Sequence, residues 1–133
     1  MPDLPPPFVA KTCGIILFTE RFADCVRFYR ELLGLPVWFE KPGLVCLRFA
    51  DGYLMIETDG VARDRPKRHD ENPAVLRFNV DDVDAAANAL TKRGIAVEIL
   101  TLDWGTIGIF HDPDGNQCEL LLGPGSRFEK VQN

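Results

Sequence analysis

Apolar residues recur along this chain with two periods, and the switches between them mark out its elements. From Thr19 to Gly34, Phe22, Val26, Tyr29 and Leu33 fall on one helical face. Thr19 is placed to cap the start of this helix and Gly34 to supply its left-handed exit. From Asp81 to Gly94, Val83, Ala86, Ala87 and Leu90 repeat the pattern. Asp81, Asp82 and Asp84 sit at the positive end of that second helix, Lys92 and Arg93 at the negative end, and Gly94 at the exit.

Each predicted helix follows a short β-rich run, Cys13 to Phe18 and Val75 to Val80. Three more runs follow the first helix, at 36–40, 44–49 and 53–58, and three follow the second, at 96–100, 106–110 and 117–122. The order βαβββ therefore occurs twice. Gly34 and Gly94 are 60 residues apart, and Asp51-Gly52 precedes Asp114-Gly115 by nearly the same interval, so the repeat is real at the level of pattern. Residues 59–73 lack apolar periodicity and read as a linker whose basic cluster forms a solvated face.

The 133 residues suffice for one buried core and are short for two independent domains, so both halves are expected to share one domain. A net charge of -5 gives no electrostatic reason to approach nucleic acid or anionic lipid, and no apolar run is long enough to cross a bilayer. Cys13, Cys25, Cys46 and Cys118 form no CxxC pair and sit in apolar stretches, as buried reduced thiols do, which suits the cytoplasm. Residues 1–7, with Pro5-Pro6-Pro7, read as a loose tail, and Gly123-Pro124-Gly125 ends the last strand and frees residues 125–133. The domain is expected to span 8–124, with module one at 8–58 and module two at 74–124.

Three segments carry a family resemblance: Phe28-Tyr29-Arg30-Glu31-Leu32-Leu33-Gly34-Leu35, Val80-Asp81-Asp82-Val83-Asp84-Ala85-Ala86, and Phe110-His111-Asp112-Pro113-Asp114-Gly115-Asn116-Gln117-Cys118-Glu119-Leu120. In this order, around a doubled βαβββ pattern, they resemble the vicinal oxygen chelate superfamily of glyoxalases, bleomycin-resistance proteins and extradiol dioxygenases. The resemblance implies an α+β fold in which two βαβββ modules pair into an incompletely closed, eight-stranded barrel-like sheet. It also implies a small-molecule site in the cup and a homodimer.

Enzymes of this superfamily commonly hold one divalent ion with side chains from the first and last strand of each module. The resemblance puts those four positions at Gly14, Glu57, Val75 and Glu119. Gly14 and Val75 offer no donor, and two carboxylates alone make a poor site for zinc, nickel or iron. His69 lies in the charged linker. His111, before the last strand, lies outside the family's ligand positions and suits a pocket edge or a structural role. Without a metal, two inward carboxylates repel, so a compensating charge is needed. Residues two apart on a strand share a face, so if Val75 points into the cup Arg77 does too, roughly 7 Å along. Arg77 is therefore expected to pair with Glu57 or Glu119; a one-residue slip of register would instead turn it outward.

Trp38, Phe49 and Trp104 are the aromatic candidates for lining a pocket, with core packing as the competing role for each. Strict alternation allows only one of Trp38 and Phe39 to face the ligand, and Arg48 is given no inward role. The expected function is small-molecule binding without metal or other cofactor, with Glu57, Arg77, Glu119, Trp38, Phe49, Trp104 and His111 as ligand-binding residues. The alternative is a metal-dependent lyase, isomerase or dioxygenase using Glu57 and Glu119 as ligands. A third reading, metal-free catalysis with one of these glutamates as general base, is selected by nothing in the spacing.

Overall fold

A computed structural model describes residues 4–123. The C-terminal segment 125–133 and the first three residues, both expected as loose tails, lie outside the described residues. Residues 4–12 form no helix or strand, and Phe8 and Val9 are exposed.

The first module runs β1 (Gly14–Thr19), α1 (Phe22–Val26), a π-helical segment (Arg27–Leu32), β2 (Val37–Lys41), β3 (Leu44–Phe49) and β4 (Gly52–Thr58). The second runs β5 (Leu76–Val80), α2 (Val83–Lys92), β6 (Glu98–Leu102), β7 (Gly105–His111) and β8 (Gln117–Leu122). Each module folds into its own four-stranded sheet, ordered β1-β4-β3-β2 and β5-β8-β7-β6. In each, the first and last strands run parallel while the other pairings are antiparallel. The two sheets share no strand ladder, so the closure is incomplete to the point of two open sheets.

What the modules share is a core. Leu54, Ile56, Val45 and Leu47 of one sheet and Leu76, Phe110, Cys118 and Leu120 of the other belong to one buried cluster, with α1 and its π-helical extension contributing Cys25, Val26, Phe28 and Tyr29. Phe28 packs edge-on against Tyr29 at 4.9 Å and lies 6.1 Å from Phe110, which spans the module boundary. Removing a large aromatic from such a packed position costs about 3–5 kcal/mol, so neither half is expected to hold its form alone.

Helix ends explain most departures from the sequence-based expectations. Thr19 does not cap α1. Its hydroxyl accepts from the Arg21 amide at 3.0 Å, just ahead of the first helical residue, and Asp114 of the other module accepts from the Glu20 and Arg21 amides there, so the turn into α1 is anchored while no side chain caps the helix itself. Beyond Val26 the helix widens, and Leu33 N–H bonds to the Phe28 carbonyl, five residues back. Gly34 then takes φ +78°. α2 ends in a Schellman motif: Gly94 at φ +86° donates to Thr91 O, and Ile95 donates to Leu90 O. Ile95 is buried and Val97 packs against the core, so the chain covers the helix end before β6 begins at Glu98, two residues later than the 96–100 run suggests.

The linker is ordered by charge rather than merely solvated. Glu71, its side chain 15% exposed, gathers Arg63 at 3.0 Å, Arg65 at 2.7 Å and Arg68 at 3.6 Å. Hydrogen bonds from Arg65, the Arg68 amide and Arg63 hold the Glu71 carboxyl well below the usual carboxylate range. A flexible surface loop has thereby become a fixed strap.

Candidate functional site

Strand alternation divides each sheet into a face that packs on the helices and an open face. In β4, Leu54 and Ile56 belong to the core, so Tyr53, Met55 and Glu57 lie on the open face. Their partners carry that face across the sheet: Gly14, Ile16 and Phe18 from β1, and Leu44, Cys46 and Arg48 from β3. Ile16 and Phe18 are each 50% exposed there. In β8, Cys118 and Leu120 belong to the core, so Glu119 is on the open face, beside Arg77 of β5 and Ile109 of β7.

On the first sheet one row crosses all four strands. Gly14 pairs with Tyr53, and Tyr53 with Arg48. The Arg48 guanidinium carbon lies 4.4 Å from the centre of the Trp38 ring, a cation–π stack, and the Trp38 and Tyr53 rings are 5.7 Å apart. Phe39 joins the group edge-on to Trp38 at 5.5 Å. Trp38 and Phe39 both reach this face because the β2–β3 register slips between Val37 and Phe39. A bulge breaks the alternation that would have separated them. Arg48, given no inward role by the sequence pattern, and Tyr53, absent from it, are central to this row. Tyr53 was recoverable, since it lies two and four residues before Met55 and Glu57 on one strand; the bulge left no such sign.

Glu57 is half-buried on the same face and makes no ion pair or hydrogen bond among the described residues. On the second sheet Glu119, only 7% exposed, is met by Arg77, whose Nε donates to Oε1 at 2.5 Å and whose Nη2 contacts the same oxygen. The two are direct cross-strand partners. Of the two glutamates considered for Arg77, the structure brings it to Glu119.

The remaining candidates scatter. Phe49 faces the other way, edge-on to Phe78 at 5.2 Å, and packs against the shared core between modules. Its one-residue offset from Arg48 puts it on the helix side. Trp104 lies in the turn between β6 and β7 and is 45% exposed. His111 pairs with Gln117 at the end of β7; burial lowers its pKa, with Asp112 and Glu98 acting in the opposite direction. His69 is exposed in the linker.

A divalent ion does not fit the side chains present. Gly14 and Val75 supply no donor, Glu119 is engaged by Arg77, and no three His, Cys, Asp or Glu side chains converge among the described residues. The Gly14 position is moreover covered. A Cβ built there would stand 2.1 Å from the Tyr53 ring, so any larger residue needs that ring to move.

The Asp-Pro-Asp-Gly-Asn turn is a structural clamp. Asp112 accepts from Tyr29 Oη at 2.7 Å and from Asn116 Nδ2, N and the Asp114 amide at 2.9 Å each. Asp114, fully buried, accepts from the Glu20 amide at 3.1 Å and the Arg21 amide at 3.3 Å. Cys25 Sγ lies 3.5 Å from Asp114 and accepts from Thr19 at 3.1 Å. Burial pushes the Cys25 thiol up to about 12 and the Tyr29 hydroxyl well above its ordinary value, so neither ionises at neutral pH. The turn is therefore a buried, hydrogen-bonded scaffold, and two hollows in the chain's surface lie away from the aromatic row. One opens at the start of α2, lined by Asp81, Asp82 and Gly105, and a more apolar one lies between the helices at Leu33, Phe78 and Leu90. A single sheet face stays shallow until a second surface covers it.

Comparison with known proteins gives this geometry its family. The model of the Glyoxalase/Bleomycin resistance protein/Dioxygenase superfamily matches residues 12–120, and the chain belongs to that superfamily. It is 28% identical over 123 residues to the uncharacterized protein YraH of Bacillus subtilis (strain 168), covering 83% of this chain and 96% of YraH. Among solved structures, it is similar to a lactoylglutathione lyase from Agrobacterium tumefaciens, with a TM-score of 0.68 at 22% identity over 89% of this chain and 96% of that one. It is also similar to TnmS3, an antibiotic binding protein from Streptomyces sp. CB03234, with a TM-score of 0.65 at 25% identity over 87% of this chain and 98% of that one. Among the described residues no helix is long and apolar enough to cross a membrane.

Proposed function

We propose that this chain binds a small molecule on the open face of its first sheet, without a divalent ion, and leaves it chemically unchanged. The observation that carries this reading is the Tyr53 ring standing over Gly14, where the superfamily resemblance puts a metal-binding histidine. An aromatic surface occupies the place of a ligand to the ion. The Arg77–Glu119 pair supports the same reading, because a guanidinium supplies the positive charge that a buried carboxylate otherwise lacks. The likeness to an antibiotic binding protein fits it as well. A second copy of the chain closes the open face into a cup in this reading, which accounts for the exposed Ile16, Phe18 and Trp38. Four free cysteines suit the cytoplasm.

The test is metal binding. After chelation, the protein is expected to take up less than stoichiometric Ni, Zn, Fe or Mn. Tight stoichiometric uptake that Glu119→Ala abolishes would instead establish the metal-dependent lyase, isomerase or dioxygenase reading. Sedimentation velocity decides the dimer.

A further inference from the structure

Arginines in this chain are almost all satisfied. Arg21, Arg27, Arg30, Arg63, Arg65, Arg68 and Arg77 each meet a carboxylate, and Arg93 donates to the Leu32 carbonyl. Among the described residues Arg48 alone has a guanidinium that meets neither a carboxylate nor a carbonyl oxygen, and it lies flat enough on Trp38 to bring Cζ within 4.4 Å of the ring centre. Stacking holds a guanidinium by its face and leaves its N–H edge free, which is the edge that grips a carboxylate bidentately. The group is thus positioned and unspent.

Its neighbours define what else the ligand must be. Trp38 and Tyr53 offer ring surface on either side of the same row, and Ile16 extends the apolar floor from β1. Glu57, the carboxylate that β4 presents on this face, is four residues from Tyr53, which is about 13 Å of strand. Within the row of Gly14, Tyr53, Arg48 and Trp38 the one charged side chain is therefore a cation, although the chain as a whole carries -5.

We infer that the ligand is a planar aromatic acid whose ring lies against Trp38 and Tyr53 while its carboxylate takes the free edge of Arg48. This rests on the proposed binding role of the same face and adds the chemical class. A cationic ring would meet Arg48 repulsively, and a neutral one would leave the guanidinium unpaired.

Isothermal titration calorimetry in the presence of chelator, with 1-naphthoate, 1-naphthamide and 1-naphthylmethylammonium as probes, separates these cases. Naphthoate is expected to bind at least about tenfold more tightly than the isosteric amide, with the ammonium weakest. Arg48→Gln, a change at an exposed position, should erase the difference between acid and amide, and Trp38→Leu should weaken both. Equal binding of acid and amide by the unaltered protein, or an equal loss for both in Arg48→Gln, overturns the inference while the binding role stands. Failure of all three probes to bind, or binding that Trp38→Leu leaves untouched, removes the binding role of this face and the inference with it.

Discussion

The two modules follow one pattern and have spent it differently. On the open face of the first, the charges are unspent among the described residues: Arg48 rests on Trp38 and meets no oxygen, and the Glu57 side chain makes no ion pair or hydrogen bond. On the second, the charges are consumed internally, Arg77 on Glu119. Their final turns differ in the opposite sense. The first module's Asp51-Gly52 is an exposed tight turn that accepts a hydrogen bond from the Thr12 hydroxyl at the Asp51 carbonyl. The second module's Asp112–Asn116 turn is buried and bonds to α1, the linker and Tyr29. A duplicated fold has let one copy hold the chain together while the other keeps an open, chemically available face.

The contrast between turns is the easiest to break. Asp114→Ala removes a fully buried carboxylate that accepts from the Glu20 and Arg21 amides across the module boundary, so it is expected to cost about 3 kcal/mol in urea unfolding. Asp51→Ala, on an exposed side chain, should change stability by no more than about 0.5 kcal/mol. Equal costs would mean the clamp is not where the stability lies.

Gly14 and Val75, where the superfamily resemblance expects metal-binding residues, sharpen the contrast between faces. Gly14→His forces the new side chain into Tyr53 and is expected to destabilise by about 2 kcal/mol. Most of that should return in a Gly14→His, Tyr53→Ala double variant. Val75→His, just outside β5 on a half-buried residue, should cost under about 1 kcal/mol. Thermal midpoints of the three variants check this directly.

The smallest effect concerns the strap between modules. The Glu71 carboxyl has a folded pKa below its unfolded value of 4.5, so its stabilisation is present above that pH and lost as pH falls toward the folded pKa. Wild type is expected to be more stable than Glu71→Gln at neutral pH, with the gap shrinking progressively below pH 4.5. A gap that widened in acid would contradict the ion cluster.

Much of this was legible before any coordinates. Helical spacing in Phe22, Val26, Tyr29 and Leu33, and again in Val83, Ala87 and Leu90, placed both helices, and the positions of Gly34 and Gly94 marked their exits, because only periodicity and a left-handed residue were needed. The anchoring of the turn into α1 was not legible, since its acceptor, Asp114, is some 90 residues away in sequence. Nor was the bulge at Trp38 and Phe39, which depends on pairing with β3 and leaves no local signature. Alternation along β5 turned Arg77 toward Glu57 or Glu119 but could not choose between them, because the choice is made by the parallel pairing of β5 with a strand about 40 residues on. Arg48 could not be picked out, because the cue is an absence: every other described arginine has found an oxygen.

The first module's open face is proposed to bind its ligand without metal. The most direct test follows nitrogen-attached protons by two-dimensional NMR as 1-naphthoate is added to the chelated protein. The Trp38 indole, the Arg48 Nε–H and the Tyr53 amide are expected to shift together, saturably, while the amides of Asp112–Asn116 stay in place. Shifts that appear only after a divalent ion is supplied, or that are confined to the second module around Arg77 and Glu119, would contradict it.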